Sequence, residues 1–436
     1  MSLKRIPTPS QDAGNWGTIL NDHIAQTQNP LNGAFNSFDQ FSARPTNLTA
    51  GDAGRTYLYT QTGNWHEWSG SEWKVHKTNG VANVKDYGAI GDYNLTTKTG
   101  TDDHPAMQKC INENYHTYIP DGNYLLNDTL EIASNKEISG QSKKNTVLCR
   151  KPANKTNLGT RLSNTGATDD FNVNAYFAYT YVQSEVYNRD TKITNLTLTS
   201  SVRNLFVDYG FYAPRSSVFL ISDIEMYFVI HGLYGHDIFL GTFQRIGVHA
   251  HKTVVSLVED TVGVCGGTTL NLCDISCNGG EYLADTIGYD IHGLNYSSFT
   301  HCSSDGHTKA FNFVNCSEIV LNGCGAEGVY PKSQYSSVFS AYNSKITINA
   351  MRILGVSNFA FPDFPPYPIG EDAYYLLFVN SKIVMNTCSF SPIASVPNKM
   401  FNLALLGSSS VIANNCTLPD NGVRGTAIND TSVLQD

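Results

Sequence analysis

A four-residue pattern that returns nine times between residues 193 and 418 limits this chain more than any other feature. It begins at Asn195-Leu196-Thr197-Leu198, Asp223-Ile224-Glu225-Met226, Arg245-Ile246-Gly247-Val248 and Asp274-Ile275-Ser276-Cys277. It continues at His301-Cys302-Ser303-Ser304, Gly323-Cys324-Gly325-Ala326, Ala350-Met351-Arg352-Ile353, Thr387-Cys388-Ser389-Phe390 and Asn415-Cys416-Thr417-Leu418. The second and fourth positions are small or apolar and the third is mostly polar. That is the period-two alternation of a strand with one buried face. The second positions advance by 28, 22, 29, 27, 22, 27, 37 and 28 residues. One strand kept in phase at such a period specifies coils stacked into parallel sheets. A second strand precedes the first in the later coils, at 315–322, 343–349 and 380–386, each running from a polar turn into β-branched residues. No helix-length apolar pattern interrupts them. The expected fold is all-β, a parallel β-helix.

Charged residues make up only 15% of the 436, which suits strands and turns and not a coiled coil. The net charge of −9 without a basic run argues against a nucleic-acid partner. No stretch approaches about 18 consecutive apolar residues, so no membrane-spanning helix is expected. Residues 1–7 lack the apolar core of a signal peptide, so work outside a cell implies release by lysis or carriage on a particle. Of ten cysteines, Cys277, Cys302, Cys324, Cys388 and Cys416 fall in the inward columns, where reduced thiols act as small hydrophobes. Cys273 and Cys277 have no second pair to complete a zinc site. Nothing in the sequence calls for a metal or a cofactor.

Four regions follow in order: 1–80 as an N-terminal region with a small meander, 81–130 as a cap, 131–420 as the β-helix, and 421–436 as a short polar tail. Near the start, Trp16, Ile19, Leu20 and Ile24 have helical spacing. Residues 54–75 read as three strands joined at Thr62-Gly63-Asn64 and Ser69-Gly70-Ser71. Trp65, Trp68 and Trp73 either offer a platform to a sugar or, the reading favoured here, fill the core of this small meander. Residues 150–190 break the repeat and are expected to loop out. A proline-rich excursion at 359–368 is expected on the surface, gripping a ligand or a neighbouring subunit.

The cap carries the most recognisable passage: Asp86-Tyr87-Gly88-Ala89, then Gly100-Thr101-Asp102-Asp103, then Pro120-Asp121-Gly122-Asn123-Tyr124. Asp102 or Asp103 is placed to cap a helix with Pro105 in its first turn and Ala106, Met107, Cys110 and Ile111 on its apolar face. The passage resembles the opening of the pectate-lyase-like β-helix superfamily, in the version carried by phage tailspikes and tail-fibre depolymerases. The resemblance covers about 81–420, with a longer loop at 92–99. Residues 7–22 resemble segments that attach tail fibres to a baseplate. The resemblance implies a right-handed β-helix, a homotrimer, a place on a virion tail through a tail or baseplate protein bound by residues 1–80, and a bacterial surface polysaccharide as ligand.

One position beyond each quartet, pointing outward, stand Thr199, Tyr227, His249, Asn278, Asp305, Glu327, Leu354, Ser391 and Pro419. Stacked strands lie about 4.8 Å apart. Asp305 and Glu327 are therefore candidates for the two carboxylates of glycoside hydrolysis, which stand about 5–9 Å apart. Like charges so close push one pKa up and split the pair into acid and base. Asp305-Gly306 and Glu327-Gly328 equally suit turns, where glycine supplies positive φ. Candidate sugar contacts are His249, Asn278, Asp290, His292, His307 and Tyr330. Arg245 with His249 or His251 is the candidate for a lyase instead. A structural tail fibre with a receptor-binding β-helix and no catalysis is the remaining alternative.

Overall fold

The computed structural model describes residues 37–77, 80–151, 156–162, 168–180, 187–202, 205–257, 267–279, 286–329, 337–356, 373–391, 400–417, 427–428 and 433–435. The helix expected around residues 16–24, the excursion at 359–368 and Tyr330 lie outside them.

From residue 82 onward the chain winds as a right-handed parallel β-helix, with three sheets per coil rather than two strands. In one coil Ile319–Asn322 runs along the first sheet and Gly325–Val329 along the second, after which the chain reaches Ser337–Tyr342 on the third. The next coil repeats this with Lys345–Asn349, Arg352–Val356 and Ala373–Val379. Ile319 stands opposite Ile346, Gly325 opposite Arg352 and Phe339 opposite Leu376, all in parallel register.

The recurring quartet is the corner between the first two sheets. Its first residue adopts left-handed backbone in every copy, from Asn195 to Asn415, with φ between 51° and 60°. That residue turns the chain, and the next side chain drops into the core. Leu196, Ile224, Ile246, Ile275, Cys302, Cys324, Met351 and Cys388 are all buried. The thiols lie within bonding distance of carbonyls one coil back: Cys302 of Leu272 at 3.4 Å, Cys324 of Phe299 at 3.4 Å and Cys388 of Ile348 at 3.7 Å. Every cysteine among the described residues is free.

The third sheet contributes the largest side chains to the core. Phe177, Phe211, Leu233, Val255, Tyr289, Phe311, Phe339, Leu376 and Leu403 form one inward column. Tyr289 and Phe311 stack at 4.8 Å and 8°. Each such burial stabilises by roughly 1.5–3 kcal/mol. On the first sheet Asn322, Asn349, Asn386 and Asn414 form a ladder in which each amide donates to the one before at 2.8 Å.

The cap helix spans His104–Glu113 and buries Met107, Cys110 and Ile111, the face its spacing predicts. Its aspartates work differently from the expectation. Asp103 occupies the N-cap position without capping through its side chain. Its buried carboxylate instead accepts from the Ile90 and Gly91 amides at 2.6 and 3.1 Å, and burial pushes its pKa up to about 6. Asp102 accepts from the His104 and Asn127 amides, tying helix to strand.

The meander is welded to this cap. Thr56–Tyr59, Asn64–Trp68 and Trp73–His76 pair antiparallel, as the turns predict. The fully buried His66 and Asp86 meet at 3.2 Å, and Asp86 also accepts from Thr62 at 2.5 Å and Asn64 at 2.6 Å. Gly88 has φ of 104°, and a Cβ there would lie 2.9 Å from the Phe41 ring, so only glycine lets the linker pack on the cap. The meander's core is Phe38, Tyr59, Asn64 and His66, not its tryptophans. Trp65, Trp68 and Trp73 all remain half-exposed: Trp68 and Trp73 share the face turned toward the cap, and Trp65 lies on the opposite one.

Within 150–190 the break is narrower than expected. Thr156–Leu162 and Thr168–Val173 form an antiparallel hairpin, and Ala175–Tyr179 already belongs to the third sheet. Beyond residue 418, Ala427–Ile428 and Val433–Gln435 pair with the preceding coil, so the polar end of the chain still contributes strands.

Candidate active site

The outward column read from the sequence is continuous in the structure. Thr199 stands opposite Tyr227, Tyr227 opposite His249, His249 opposite Asn278, Asn278 opposite Asp305, Asp305 opposite Glu327, and Glu327 opposite Leu354. The column closes the second sheet at its corner with the third. Tyr227 and His249 stack at 4.7 Å and 15°. Burial draws the His249 pKa down, keeping the ring neutral and able both to donate and to accept.

Asp305 and Glu327 occupy the same register position on adjacent coils, so their Cα atoms lie about 4.8 Å apart. Asp305 is half-buried and Glu327 exposed. Burial and then the charge of Glu327 push the Asp305 carboxyl above its ordinary range. The turn reading holds as well, since Gly306 and Gly328 have φ of 73° and 60° and the Gly306 amide donates to the Glu327 carbonyl at 3.0 Å. The two roles coexist: the glycines make the corner, and the carboxylates stand just before it.

The other expected residues divide between places. Asp290 and His292 lie on the outward face of the third sheet, round the corner from the column, and bond to each other at 3.0 Å. Asn312 donates to Asp290 at 2.8 Å and the Ser340 hydroxyl to Asn312 at 2.7 Å. Burial alone would raise the Asp290 pKa, but the bonds from His292 and Asn312 and the charge of Lys309 hold it below the carboxylate norm. His307 is a correction. It is fully buried, its Nδ1 pairs with the Ser304 hydroxyl at 3.0 Å, and burial lowers its pKa to about 4. It braces the wall behind Asp305 and presents nothing to solvent. Of the lyase candidates, the side chain of His251 lies outside the described residues, and Arg245 does not meet His249. The Arg245 guanidinium holds Asp223 through two bonds of 2.6 Å at the corner, and His249 lies four residues further on, about 13 Å along the backbone.

Sequence reasoning missed the aromatic ledge on the third sheet. Tyr209 stacks on His231 at 5.4 Å and 19°, Tyr212 stacks on Tyr234 at 5.5 Å and 4°, and Tyr209 lies 5.0 Å from Tyr234. Tyr234, Ser256, Asp290 and Asn312 then share one register line. The aromatic spacing alone held the signal, but only after the third sheet is recognised does it place these rings together.

Residues 81–336 match the model of the family described as rhamnogalacturonase A/epimerase, pectate lyase-like. The chain belongs to that family. Among solved structures, an Acinetobacter phage vb_AbaP_AS12 gp42 tailspike matches with a TM-score of 0.73 and 15% identity, over 91% of this chain and 74% of the other. A DFA-IIIase from Arthrobacter chlorophenolicus A6 without its lid matches with a TM-score of 0.58 and 10% identity, over 81% and 93%. At these identities the likeness is one of fold. No curated protein matches the chain.

Proposed function

We propose that this member of the pectate lyase-like family is a tailspike that binds a bacterial surface polysaccharide and cleaves it by glycoside hydrolysis. The carrying observation is the in-register stack of Asp305 and Glu327, with the Asp305 pKa raised by burial and by its neighbour. Asp305, the carboxyl whose pKa is raised, is the acid that donates a proton to the glycosidic oxygen. Glu327, exposed one coil away, serves as base or nucleophile. A separation of about 5–5.5 Å between the carboxyl groups gives retention, and about 6.5–9.5 Å gives inversion. Tyr227, His249 and Asn278 extend the same line and hold the saccharide beside it. Likeness of fold to a tailspike supports a virion-tail location; assembly as a homotrimer and attachment through residues 1–80 complete the reading as proposals.

The second reading is a receptor-binding fibre without catalysis. It draws support from the third sheet, where Tyr209, His231 and Tyr234 suit sugar stacking while the Asp290 carboxylate is committed to His292 and Asn312. The test measures new reducing ends, and the absorbance of unsaturated uronates, on capsule and lipopolysaccharide of candidate hosts. Hydrolysis predicts reducing ends without absorbance, lost about 100-fold or more in Asp305→Asn and in Glu327→Gln. Absorbance would sink the assignment in favour of elimination. Binding of a host polysaccharide without cleavage would leave the fibre.

A further inference from the structure

A cleft of about 760 Å³ opens between the half-exposed face of the meander and the cap helix, away from the carboxylate column. Its size is that of a small-ligand site. Its floor is aromatic and fixed. The Trp68 indole N–H donates to the Thr49 carbonyl at 2.8 Å, and Trp73 packs edge-on against Trp68 and Tyr57, each at 5.6 Å. Over this floor lies Arg44, its guanidinium 4.2 Å from the Phe41 ring centre and 5.2 Å from that of Trp73. No carboxylate among the described residues pairs with it. Across the cleft Lys109 faces Glu113 at 3.8 Å, and the Lys77 amine bonds to Asn114. The Asp86 carboxylate is already consumed by Thr62, Asn64 and His66. The lining sets Arg44, Lys74, Lys77 and Lys109 against Glu72, Asp86 and Glu113, a formal balance of +1 in a chain of net charge −9.

We propose that this cleft binds an acidic sugar, with a pyranose ring stacked on Trp73 and its carboxylate on Arg44. A partly desolvated guanidinium held by two rings has much to gain from an anion, and its planar fork matches a carboxylate. The adjoining indoles supply the flat apolar surface that a sugar face needs and that a simple anion does not. The site goes beyond the hydrolytic reading, because it lies on other residues and involves no bond cleavage.

All four tryptophans, Trp16, Trp65, Trp68 and Trp73, precede the solenoid, so intrinsic fluorescence reports on this end of the chain alone. The experiment titrates the full chain with methyl glucuronide, methyl glucoside and acetate, following tryptophan emission. A saturable change with the glucuronide is expected, at least about tenfold weaker with the glucoside or acetate. Arg44→Gln should weaken the glucuronide about tenfold, with Arg44→Lys between the two, while Asp305→Asn leaves it unchanged. Equal responses to glucuronide and acetate would overturn the proposal in favour of a bare anion site. No response to any of the three would overturn it in favour of a protein contact. Unchanged affinity in Arg44→Gln, with the chain folded by circular dichroism, would also overturn it.

Discussion

His307 makes the molecule acid-labile by an amount that can be worked out. Its ring is fully buried, and burial lowers its pKa from 6.5 to about 4. On acidification the unfolded chain takes up the proton first, so unfolding gains as pH falls from about 6.5 and the loss levels off below about 4. Between pH 7 and about pH 4.5 the loss comes to about 2 kcal/mol, approaching about 3 kcal/mol below pH 4. His307→Leu has no proton to take up. It strands the Ser304 hydroxyl at a cost of about 1–3 kcal/mol, which does not depend on pH. Urea denaturation of both proteins at the two pH values, at one protein concentration, isolates the effect. His231, also lowered to about 4, contributes equally to both and cancels. The wild type should lose about 2 kcal/mol more than the variant on acidification. Parallel losses would refute the reasoning and mean that His307 reaches solvent or gains a partner when protonated.

Two further outcomes follow from strained or buried groups. Val218 is a β-branched residue at φ of 51° and 46% exposed, so Val218→Asn should stabilise the fold by about 1 kcal/mol; a lower melting temperature would contradict the strain argument. Asp86→Ala strands the buried His66 and two further donors at a cost of about 3–5 kcal/mol, confined to the junction of meander and cap. Tryptophan fluorescence should then report melting well before the far-ultraviolet signal of the solenoid, and coincident transitions would show that the junction is not where the cost falls.

The register of the second sheet was legible because its code is local. One left-handed residue, one buried residue, one on the outward face and one buried recur regardless of what separates them, and the column from Thr199 to Leu354 follows from counting. The third sheet was not, because the segments joining it to the second differ in length from coil to coil. Its strands, such as Lys309–Val314 and Ala373–Val379, therefore keep no fixed offset from the quartet. The aromatic ledge went unread with it. His307 misled for a different reason. A polar residue two places past a candidate carboxylate looks like a site residue, and only burial with a single hydroxyl partner reveals a brace. The tryptophans misled in the opposite sense: a small meander ordinarily hides its largest rings, but here a buried hydrogen-bonded histidine–aspartate contact with the cap takes their place.

The single-residue corner has a consequence for how such a molecule changes over time. A bend made by one residue fixes the path of the wall from one coil to the next and asks nothing of the chain between residues 279 and 286, 329 and 337, or 356 and 373. Those stretches can lengthen, shorten or be replaced while the stacked strands keep their register. Length changes between the second and third sheets therefore leave the column from Thr199 to Leu354 in register, so the wall can be inherited unchanged while the chain around it drifts.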